Sequence, residues 1–486
     1  MSYILGIDQS TQGTKAILVD ENGKIVGRAD RAHKQIINEQ GWVSHDLNEI
    51  YENVLLATKD VLVANNIDAE EVLGIGISNQ RETTAMWDKS GTPLKHAIVW
   101  QCSRAKEITQ GLDEYADLIK DHTGLQLSPY FPAAKMAWLL QNTEIPEDKK
   151  DDICLGTIDT WLIYRMTNGN SFKTDYSNAS RTQLFSIKDL KWDEEICKIF
   201  RIPKSYLAQV CDSNSLFGMT SLDGIFPKKI PIYSAMGDSH AALFGQGCHS
   251  SGKIKTTYGT GSSIMMNVGV DYIKSQHGLV TSLAWGIDGK VDYVLEGNIN
   301  YTGAVITWLK DDVKLIDLPA ETSEAAKNAN PADETVLVPA FSGLSAPYWN
   351  DKVKALLYGM SRTTGKNEII KSALESIVFQ INAVLDAMKK DSGIDIKELR
   401  VDGGPTKNSY LMQLQSDISN LVVTISDVEE LSALGTAYLA GITMGFYQKD
   451  QLFAQKEQHR YVSGMEEDLR QKKIGHWQEA IDLLIK

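Results

Sequence analysis

Apolar and polar positions alternate in short blocks along the first hundred residues. The first twenty residues predict a strand, a polar turn in GIDQSTQGTK and a second strand, followed by a third strand over Lys24–Arg28. A helical pattern covers Leu47–Asn65, and the apolar VLGIGIS at Val72–Ser78 predicts a buried strand. Short strands, AMWD and AIVW, are expected on either side of a DKSGTP turn. Helices that alternate with strands in this way indicate an α/β architecture.

The same pattern begins again near residue 245. KIKTT at Lys253–Thr257 predicts a strand that leads through YGTGSS into a second strand, IMMNVG. The clearest helix spans Ile370–Met388, where apolar residues recur at helical spacing. Each half of the chain therefore opens with two strands around a turn rich in Gly, Ser and Thr. We expect two related α/β domains, residues 1–246 and 247–486, with a cleft between them.

Length and charge narrow the possible functions. A chain of 486 residues exceeds the size of one hydrophobic core, which supports the two-domain prediction. The 49 basic and 63 acidic side chains give a net charge of −14, which disfavours non-specific binding to nucleic acid or to an anionic membrane. Five cysteines form no CxxC pair, and neither a signal-peptide pattern nor a membrane-length apolar run is present. These features predict reduced thiols and a cytoplasmic protein.

The two polar turns are candidate phosphate sites. The first offers Asp8, Ser10 and Thr11, and the second offers Gly259 and Thr260. Successive N–H groups in such turns can bind an anion, and hydroxyls add further donors. Either turn taken alone is more often an ordinary connection between strands. Neither GxxxxGK[ST] nor a GxGxxG after a strand occurs, so a P-loop or dinucleotide site is not indicated.

Other candidate groups also follow predicted strands. Asp238 follows IPIYSAM and precedes AALFG, where a carboxylate can accept a proton, hold a metal or simply cap the helix. Arg81 and Glu82 in NQRET can hold substrate hydroxyls or form a surface ion pair. Trp100 and Tyr130 can form aromatic walls or belong to the core.

Further along the chain, a strand ends in DGGPTKN and leads into a helix through Ser409. Gly403 and Gly404 would let a flat ring such as adenine approach the backbone closely. A plain connection between strand and helix explains the same residues. The segment is therefore a candidate nucleotide site only in combination with the two turns.

Taken together and in order, these segments resemble the FGGY carbohydrate kinase family, and within it most closely the glycerol kinases. YFPAAKMAWLLQN at Tyr130–Asn142 and ALLYGMSRTTGKNEIIKSALE at Ala355–Glu375 are similar to the two family signatures. NQRETT, GDSHAALFGQ, TYGTGS and RVDGGPTKN also resemble family segments. The resemblance implies a two-domain actin-like ATPase fold of the ribonuclease H-like type, with an interdomain active-site cleft. It also suggests a homodimer or homotetramer.

The resemblance implies a role for each matching residue, with ATP and Mg²⁺ as cofactors. Asp238 would be the catalytic base, and Asp8 would be the metal-side aspartate. The residues expected to bind the polyol are Arg81, Glu82, Trp100, Tyr130, Asp238 and Ser239. The residues expected to bind ATP are Ser10, Thr11, Gln12, Lys15, Gly259, Thr260, Gly303, Gly404 and Asn408.

Several residues depart from the pattern usual in glycerol kinases. Ser239 stands in place of a glutamine, Ser263 in place of an aromatic residue and Cys102 in place of a carboxylate. Pro132-Ala133-Ala134 replaces Ser-Gly-Thr, and Lys15 replaces an arginine without its fork geometry. The smaller side chains predict a larger and wetter substrate pocket.

The predicted activity is ATP-dependent phosphorylation of a terminal hydroxyl of a small polyol. Glycerol is preferred because the overall resemblance is nearest to that group. The alternative within the family is a larger polyol or ketose, of the erythritol, xylulose or ribulose type, which the enlarged pocket favours. A different class of function, a non-metabolic actin-like ATPase, would lack the NQRET and YFPAAK motifs that this chain carries.

Overall fold

The computed structural model describes residues 1–453 and 459–486. Its strands are β1 Tyr3–Gln9, β2 Gly13–Val19, β3 Ile25–Ala32, β4 Ile36–Ile37, β5 Val43–His45, β6 Val72–Asn79, β7 Thr84–Asp88, β8 Ala97–Ile98, β9 Ile153–Thr157, β10 Lys173–Asp175, β11 Phe185–Ser186, β12 Lys191–Trp192, β13 Gln209–Cys211, β14 Gly218–Thr220, β15 Ile230–Gly237, β16 Ile254–Tyr258, β17 Ser262–Gly269, β18 Val280–Ile287, β19 Lys290–Ile299, β20 Val336–Val338, β21 Leu356–Tyr358, β22 Glu398–Asp402, β23 Val422–Ile425 and β24 His459–Tyr461.

Helices alternate with these strands along the chain. They are α1 Leu47–Ala64, α2 Lys106–Gln110, α3 Ala116–Thr123, α4 Pro132–Gln141, α5 Ile158–Met166, α6 Tyr176–Ala179, α7 Glu194–Ile199, α8 Asp238–Gly245, α9 Gly303–Thr307, α10 Glu321–Lys327, α11 Lys366–Ser392, α12 Ser409–Ser419, α13 Leu431–Thr443, α14 Lys449–Leu452 and α15 Glu467–Ile485.

The two large sheets repeat one topology. The first has the order β14-β15-β6-β1-β2-β3. Its strands β1, β6 and β15 are parallel to one another, whereas β2 runs antiparallel to both of its neighbours, β1 and β3. The second has the order β18-β19-β17-β16-β22-β23-β24, in which β16, β22 and β23 are parallel. In each sheet an antiparallel strand pair adjoins parallel strands that arrive by helical crossovers. The two large sheets are therefore related, as the repeated strand–turn–strand pattern of the sequence predicts.

The helices between the sheets bring the two halves into close contact. On the first sheet, α1 packs against β2 and β3, while α13 packs against β1, β6 and β15. Helix α13 comes from the second half of the sequence and also contacts α8, which reaches β17. The contact of α13 with α8 depends on Gly435, because a Cβ there would lie 1.9 Å from the carbonyl oxygen of Ala241. The chain thus buries one face of its first sheet with a helix from its other half.

Most predicted elements occur with small shifts in their ends. The predicted helix over Ile370–Met388 is longer, α11, and ends where Gly393 adopts a left-handed conformation. The strand predicted from AIVW is limited to the two residues of β8, and β7 pairs mainly with β9. Within residues 1–453 and 459–486, no helix is both long and apolar enough to cross a membrane.

Candidate active site

The first polar turn connects β1 to β2 at the carboxyl end of the first sheet. The turn is closed by the Ser10 N–H and hydroxyl, which both donate to the carbonyl of Gly13 at 2.8 and 3.0 Å. Thr11 and Gln12 form its tip, and the Thr11 hydroxyl accepts a hydrogen bond from the Trp100 indole at 2.9 Å. The predicted phosphate turn therefore touches a predicted wall of the polyol pocket.

Asp8 lies at the base of this turn and is 6% exposed. It accepts a hydrogen bond from the Ser78 hydroxyl at 2.8 Å, across the parallel pair β1–β6. Burial raises the pKa of Asp8 to about 6, and the charge of Asp238 acts in the same direction. A cation beside this carboxylate would relieve both unfavourable effects.

These features fit the predicted Mg²⁺ site. Mg²⁺ prefers oxygen ligands and usually keeps several waters, so one carboxylate with phosphate oxygens is a suitable donor set. In the part of the chain that the structure describes, there is no cluster of three or more His, Cys, Asp or Glu side chains arranged to hold a metal. Asp8 is the residue that would hold the ion.

Asp238 is the first residue of α8 and directly follows β15. Its side chain is 36% exposed and accepts a hydrogen bond from the N–H of Ser239 at 2.6 Å. The backbone carbonyl of Asp238 accepts a hydrogen bond from the Ser432 hydroxyl at 3.1 Å. Gly237, rather than Asp238, occupies the N-cap position, so Asp238 is the first residue of the helix itself.

The second polar turn, residues 259–261, connects β16 to β17. It is tied to the start of α9, because the N–H groups of Thr302 and Ala304 donate to Thr260 and that of Gly303 donates to Gly259, at 2.9–3.0 Å. Gly259 and Thr260 are exposed. Three predicted nucleotide residues, Gly259, Thr260 and Gly303, are therefore adjacent.

The predicted adenosine-side residues follow β22. Gly403 has φ +100° and no room for a side chain, because a Cβ would lie 2.0 Å from the carbonyl oxygen of Tyr258. Gly404 has open space where its Cβ would be. Asn408 caps α12 by accepting from Leu411 N–H at 3.0 Å, and it donates to the Thr322 hydroxyl. Its amide is thus engaged in the fold, whereas Gly404 provides the open surface.

Arg81 and Glu82 follow β6 and are buried rather than on the surface. Arg81 Nε lies 3.2 Å from Asp238 Oδ1, and both residues are at the carboxyl ends of parallel strands. Glu82 is 2% exposed and has φ +62°, an unfavourable conformation for a side chain of this kind. Strained backbone of this type is frequent at functional sites. The interpretation as a surface ion pair is wrong, because neither residue is exposed.

Trp100 and Tyr130 form one aromatic wall. Their ring centroids are 5.6 Å apart with an edge-to-face geometry. Tyr130 is adjacent to Glu82, whose charge adds to burial in raising the pKa of the phenol. The buried amine of Lys135 donates to the Tyr130 carbonyl, and burial lowers the pKa of Lys135 to about 7. The wall is therefore fixed from behind by a polar contact.

The residues that depart from the family pattern lie at different depths. Cys102 is buried, and Arg104 Nε donates to its sulfur at 3.1 Å. Burial opposes ionisation, but the hydrogen bond from Arg104 lowers the pKa of the Cys102 thiol. Ser263, on β17, has a buried hydroxyl without a partner among the described residues. Ala133 and Ala134 belong to the hydrophobic core.

Lys15 differs from the expectation in its surroundings. Its amine lies 2.9 Å from Glu430, a carboxylate that also pairs with Arg28. The charge of Lys15 is therefore already compensated, and its assignment to ATP stays a prediction.

A cavity of about 460 Å³, lined in part by Lys89, Gly91 and Arg165, lies at the turn after β7 and contains none of the predicted site residues.

Two residues absent from the sequence prediction connect the site. Glu296, on β19, accepts from Arg81 and from Arg181, which in turn binds Glu82. Burial raises the pKa of Glu296, but both arginines together hold it well below its usual range. One sequence feature could have identified Glu296: it is the single acidic residue in the apolar run YVLEG. A charged residue in a buried strand requires a buried partner of opposite charge.

Two models of one protein family match successive parts of the chain. The N-terminal domain of the FGGY family of carbohydrate kinases matches residues 3–245, and its C-terminal domain matches residues 254–444. A glycerol kinase of Staphylococcus epidermidis is 43% identical over 486 residues, covering 99% of this chain and 97% of that protein. A glycerol kinase of Bacillus licheniformis is 44% identical over 490 residues, covering 99% of this chain and 98% of that protein.

A solved structure agrees with these relatives. The crystal structure of Plasmodium falciparum glycerol kinase with ADP superimposes with a TM-score of 0.93 at 36% identity, covering 100% of this chain and 99% of that chain. The expected two-domain actin-like ATPase fold is thereby confirmed.

Proposed function

The chain belongs to the FGGY family of carbohydrate kinases, and on that premise we propose that it transfers the γ-phosphoryl group of ATP to a terminal hydroxyl of glycerol. The relatives from Staphylococcus epidermidis and Bacillus licheniformis are glycerol kinases that match nearly the whole chain. The structural neighbour from Plasmodium falciparum is a glycerol kinase that contains ADP. Identity over the full length supports transfer of the activity to this chain.

The single observation that carries the proposal is the position of Asp238. Its partly exposed carboxylate starts α8, beside the buried Asp8 and 3.2 Å from Arg81. A substrate hydroxyl placed against Asp238 would lose its proton to the carboxylate as the oxygen attacks phosphorus. General base catalysis of this kind contributes about 10²–10⁴-fold to the rate.

The nucleotide would bind across the two polar turns. Thr11 and Gln12, at the tip of the first turn, would face one side of the phosphates, and Gly259 and Thr260 would face the other. Ser10 would shape the turn, because its N–H and hydroxyl donate to Gly13. Gly404 leaves space for the adenine ring. Phosphoryl transfer requires mainly alignment and neutralisation of charge, which such a surface supplies. Asp8 would hold Mg²⁺, which neutralises phosphate charge when bound.

The polyol would lie between Arg81, Glu82 and the aromatic wall. Arg81 would donate to substrate oxygens, and Glu82 would accept from substrate hydroxyls. Trp100 and Tyr130 would contact the carbon chain, and Ser239 would face it beside the base. The hydrogen bond between Trp100 and Thr11 places this wall directly next to the first phosphate turn.

A larger polyol or ketose is the second candidate substrate. The observation that favours it is Ser263, a small residue whose buried hydroxyl has no partner among the described residues. A serine at this position leaves more room for a longer substrate than an aromatic ring would. Erythritol, xylulose and ribulose are suitable representatives.

Membership in a carbohydrate kinase family disfavours the alternative of a non-metabolic actin-like ATPase.

Five cysteines without a disulfide bond support a location in the cytoplasm. We further propose a homodimer or homotetramer, and a boundary between the domains at residues 246 and 247. Size-exclusion chromatography with light scattering measures the oligomeric state.

Coupled ADP-release kinetics over glycerol, dihydroxyacetone, erythritol, xylitol, xylulose and ribulose tests the proposal. Glycerol is expected to give the highest kcat/KM. A higher value for a four- or five-carbon substrate would transfer the proposal to that substrate. Release of ADP at a rate that no added substrate changes would support the non-metabolic ATPase instead.

A further inference from the structure

We propose that Glu296 is a positioning residue for phosphoryl transfer, because it holds two arginines that set the catalytic base and the polyol-binding glutamate. The inference rests on the proposed function. It assigns a role to a carboxylate that comes from the second half of the chain, whereas the groups that it orients come from the first.

The geometry is a continuous chain of alternating charges. Arg81 donates to both oxygens of Glu296 at 2.9 Å, and its Nε lies 3.2 Å from Asp238. Arg181 donates to Glu296 at 2.9 Å through Nη1 and to Glu82 at 2.6 Å through Nε. Glu296 is therefore the central link between Asp238 and Glu82.

The carboxylate of Glu296 is fully used by its neighbours. It is 1% exposed, and Asn298, on the same strand, donates to Oε1 at 3.0 Å. Its two oxygens accept four hydrogen bonds in all, three from the arginines and one from Asn298. A carboxylate that accepts several donors in a fixed geometry restricts the rotamers of all of them.

The surrounding groups leave Glu296 as the anion that balances the arginines. His240 is buried beside Arg81, with neither ring nitrogen bonded to a described residue, and burial together with the arginine charge holds the pKa of His240 well below its usual range. Burial and the arginine charge thus disfavour the protonated form of His240. Lys255 is also buried near this group, which adds positive charge rather than removing it.

A purely structural ion pair would not need this arrangement. Arg81 also contacts Asp238 and Arg181 also contacts Glu82, the two carboxylates proposed to face the substrate, and Glu82 is held in a left-handed backbone conformation. If Glu296 loses its charge, Arg81 and Arg181 would depend on the carboxylates that they already contact, Asp238 and Glu82. Both of these would then be drawn away from the polyol.

Glu296 also makes the polyol site depend on the second half of the chain. Arg81, Arg181 and Glu82 follow strands and helices of the first half, whereas β19 belongs to the second large sheet. The complete site therefore requires the two sheets to be in the relative position that the structure shows. Movement of the sheets apart would release both arginines together.

The test compares Glu296→Gln and Glu296→Asp with Glu375→Gln as a matched control. Glu375 is a buried glutamate on α11, in the second half of the chain like Glu296. It pairs with Lys473 at 3.0 Å. In Glu296→Gln, the amide NH₂ cannot accept from a guanidinium, so at least one arginine loses its partner. Misplacement of catalytic groups by about 1 Å costs on the order of 10²-fold, which is the expected loss in kcat/KM for glycerol.

The accompanying measurements separate positioning from general damage. Glu296→Asp keeps the charge and should recover part of the lost kcat/KM. The Kd for ADP, measured by calorimetry, should equal the wild-type value in both variants, and Glu375→Gln should resemble wild type throughout. A wild-type kcat/KM in Glu296→Gln, or a loss that is matched by the Kd for ADP, would overturn the inference.

Two further measurements keep the outcomes distinct. If Glu296→Gln does not fold, Asn298→Ala, which removes only the amide donor to Glu296, should lower kcat/KM for glycerol by a smaller factor without changing the Kd for ADP. An unchanged kcat/KM in Asn298→Ala would then overturn the inference. Absence of polyol-dependent ADP release from the wild-type protein would overturn the proposed function itself.

Discussion

Arg81 Nε lies 3.2 Å from Asp238 Oδ1, at the point where the neighbouring parallel strands β6 and β15 end. This contact joins a group that would bind the polyol to the group that would accept its proton. The carboxyl ends of parallel strands in an α/β sheet commonly form the binding crevice. We therefore expect the reacting hydroxyl to lie at this pair, next to the first polar turn.

Replacement of the base is expected to separate catalysis from binding. In Asp238→Asn, kcat for glycerol should fall by about 10²–10⁴-fold, because the amide cannot accept the proton. The Kd for ADP should be unchanged, since Asp238 contributes nothing to the nucleotide surface proposed above. Stopped-time ADP assays and calorimetry measure the two quantities. Retention of more than a tenth of the wild-type kcat, that is, a loss below about tenfold, would remove Asp238 from this role.

Asp8→Asn is expected to stabilise the protein without ligand while it removes activity. Burial raises the pKa of Asp8 from 3.8 to about 6, so the folded state binds more protons than the unfolded state between these values. Stability from this group is complete below pH 3.8 and is lost as the pH rises through 6. Above that pH, the ionised carboxylate lowers the free energy of unfolding by up to about 3 kcal/mol.

Urea unfolding of Asp8→Asn and wild type at several pH values measures this effect. The variant should be the more stable protein at pH 8, and the difference should shrink as the pH falls toward 4. Ser78→Ala is a useful control, because it removes the hydrogen bond to Asp8 but retains the charge. A variant that is less stable than wild type at pH 8 would contradict the prediction.

Replacing each of the two adjacent glycines after β22 with alanine should have different effects on stability and on KM for ATP. Gly403→Ala places a Cβ 2.0 Å from the Tyr258 carbonyl at φ +100°, so it should destabilise the fold. Gly404→Ala meets no atom within 4 Å, so stability should be kept while KM for ATP rises. Thermal unfolding and ATP kinetics test the pair. Equal KM values for ATP in Gly404→Ala and wild type would place the adenine ring elsewhere.

Much of the fold could be predicted because local patterns determined it. The strand–turn–strand units at Asp8 and Gly259 are short-range features with strong turn signals, and α11 has a long apolar periodicity. Asp8 lies near the carboxyl end of β1 and Asp238 directly follows β15, and both strands run parallel to β6. These inferences require only local sequence and the general rules of α/β sheets.

The remaining features depend on contacts between distant segments. Lys15 pairs with Glu430, 415 residues away, and this pairing has no local signal. Asn408 is bound by Thr322 and by its own helix, which a strand–helix pattern does not reveal. Glu296 is an acidic residue in an otherwise apolar strand, which the sequence alone shows. Its partners, Arg81 and Arg181, lie in the first half of the chain and can be identified only from the three-dimensional structure.

Ser263→Phe should narrow the choice of substrate. The aromatic ring would occupy space beside the polyol and remove the serine hydroxyl that lacks a partner among the described residues. The ratio of kcat/KM for erythritol to that for glycerol should fall by about 10- to 200-fold, the range for one methylene in a tight pocket. Ser263→Ala is the control for loss of the hydroxyl alone. An unchanged ratio in Ser263→Phe would place Ser263 outside the pocket.

The most direct measurement follows both products of a reaction that contains the protein, ATP, Mg²⁺ and glycerol. Phosphorus NMR of the mixture quantifies ADP, inorganic phosphate and phosphorylated glycerol at successive times. We predict that each ADP formed is accompanied by one glycerol phosphate, substituted at a terminal oxygen, and that inorganic phosphate stays at the level of an Asp238→Asn control. Formation of ADP with inorganic phosphate and without glycerol phosphate would contradict the assignment of this chain as a glycerol-phosphorylating enzyme.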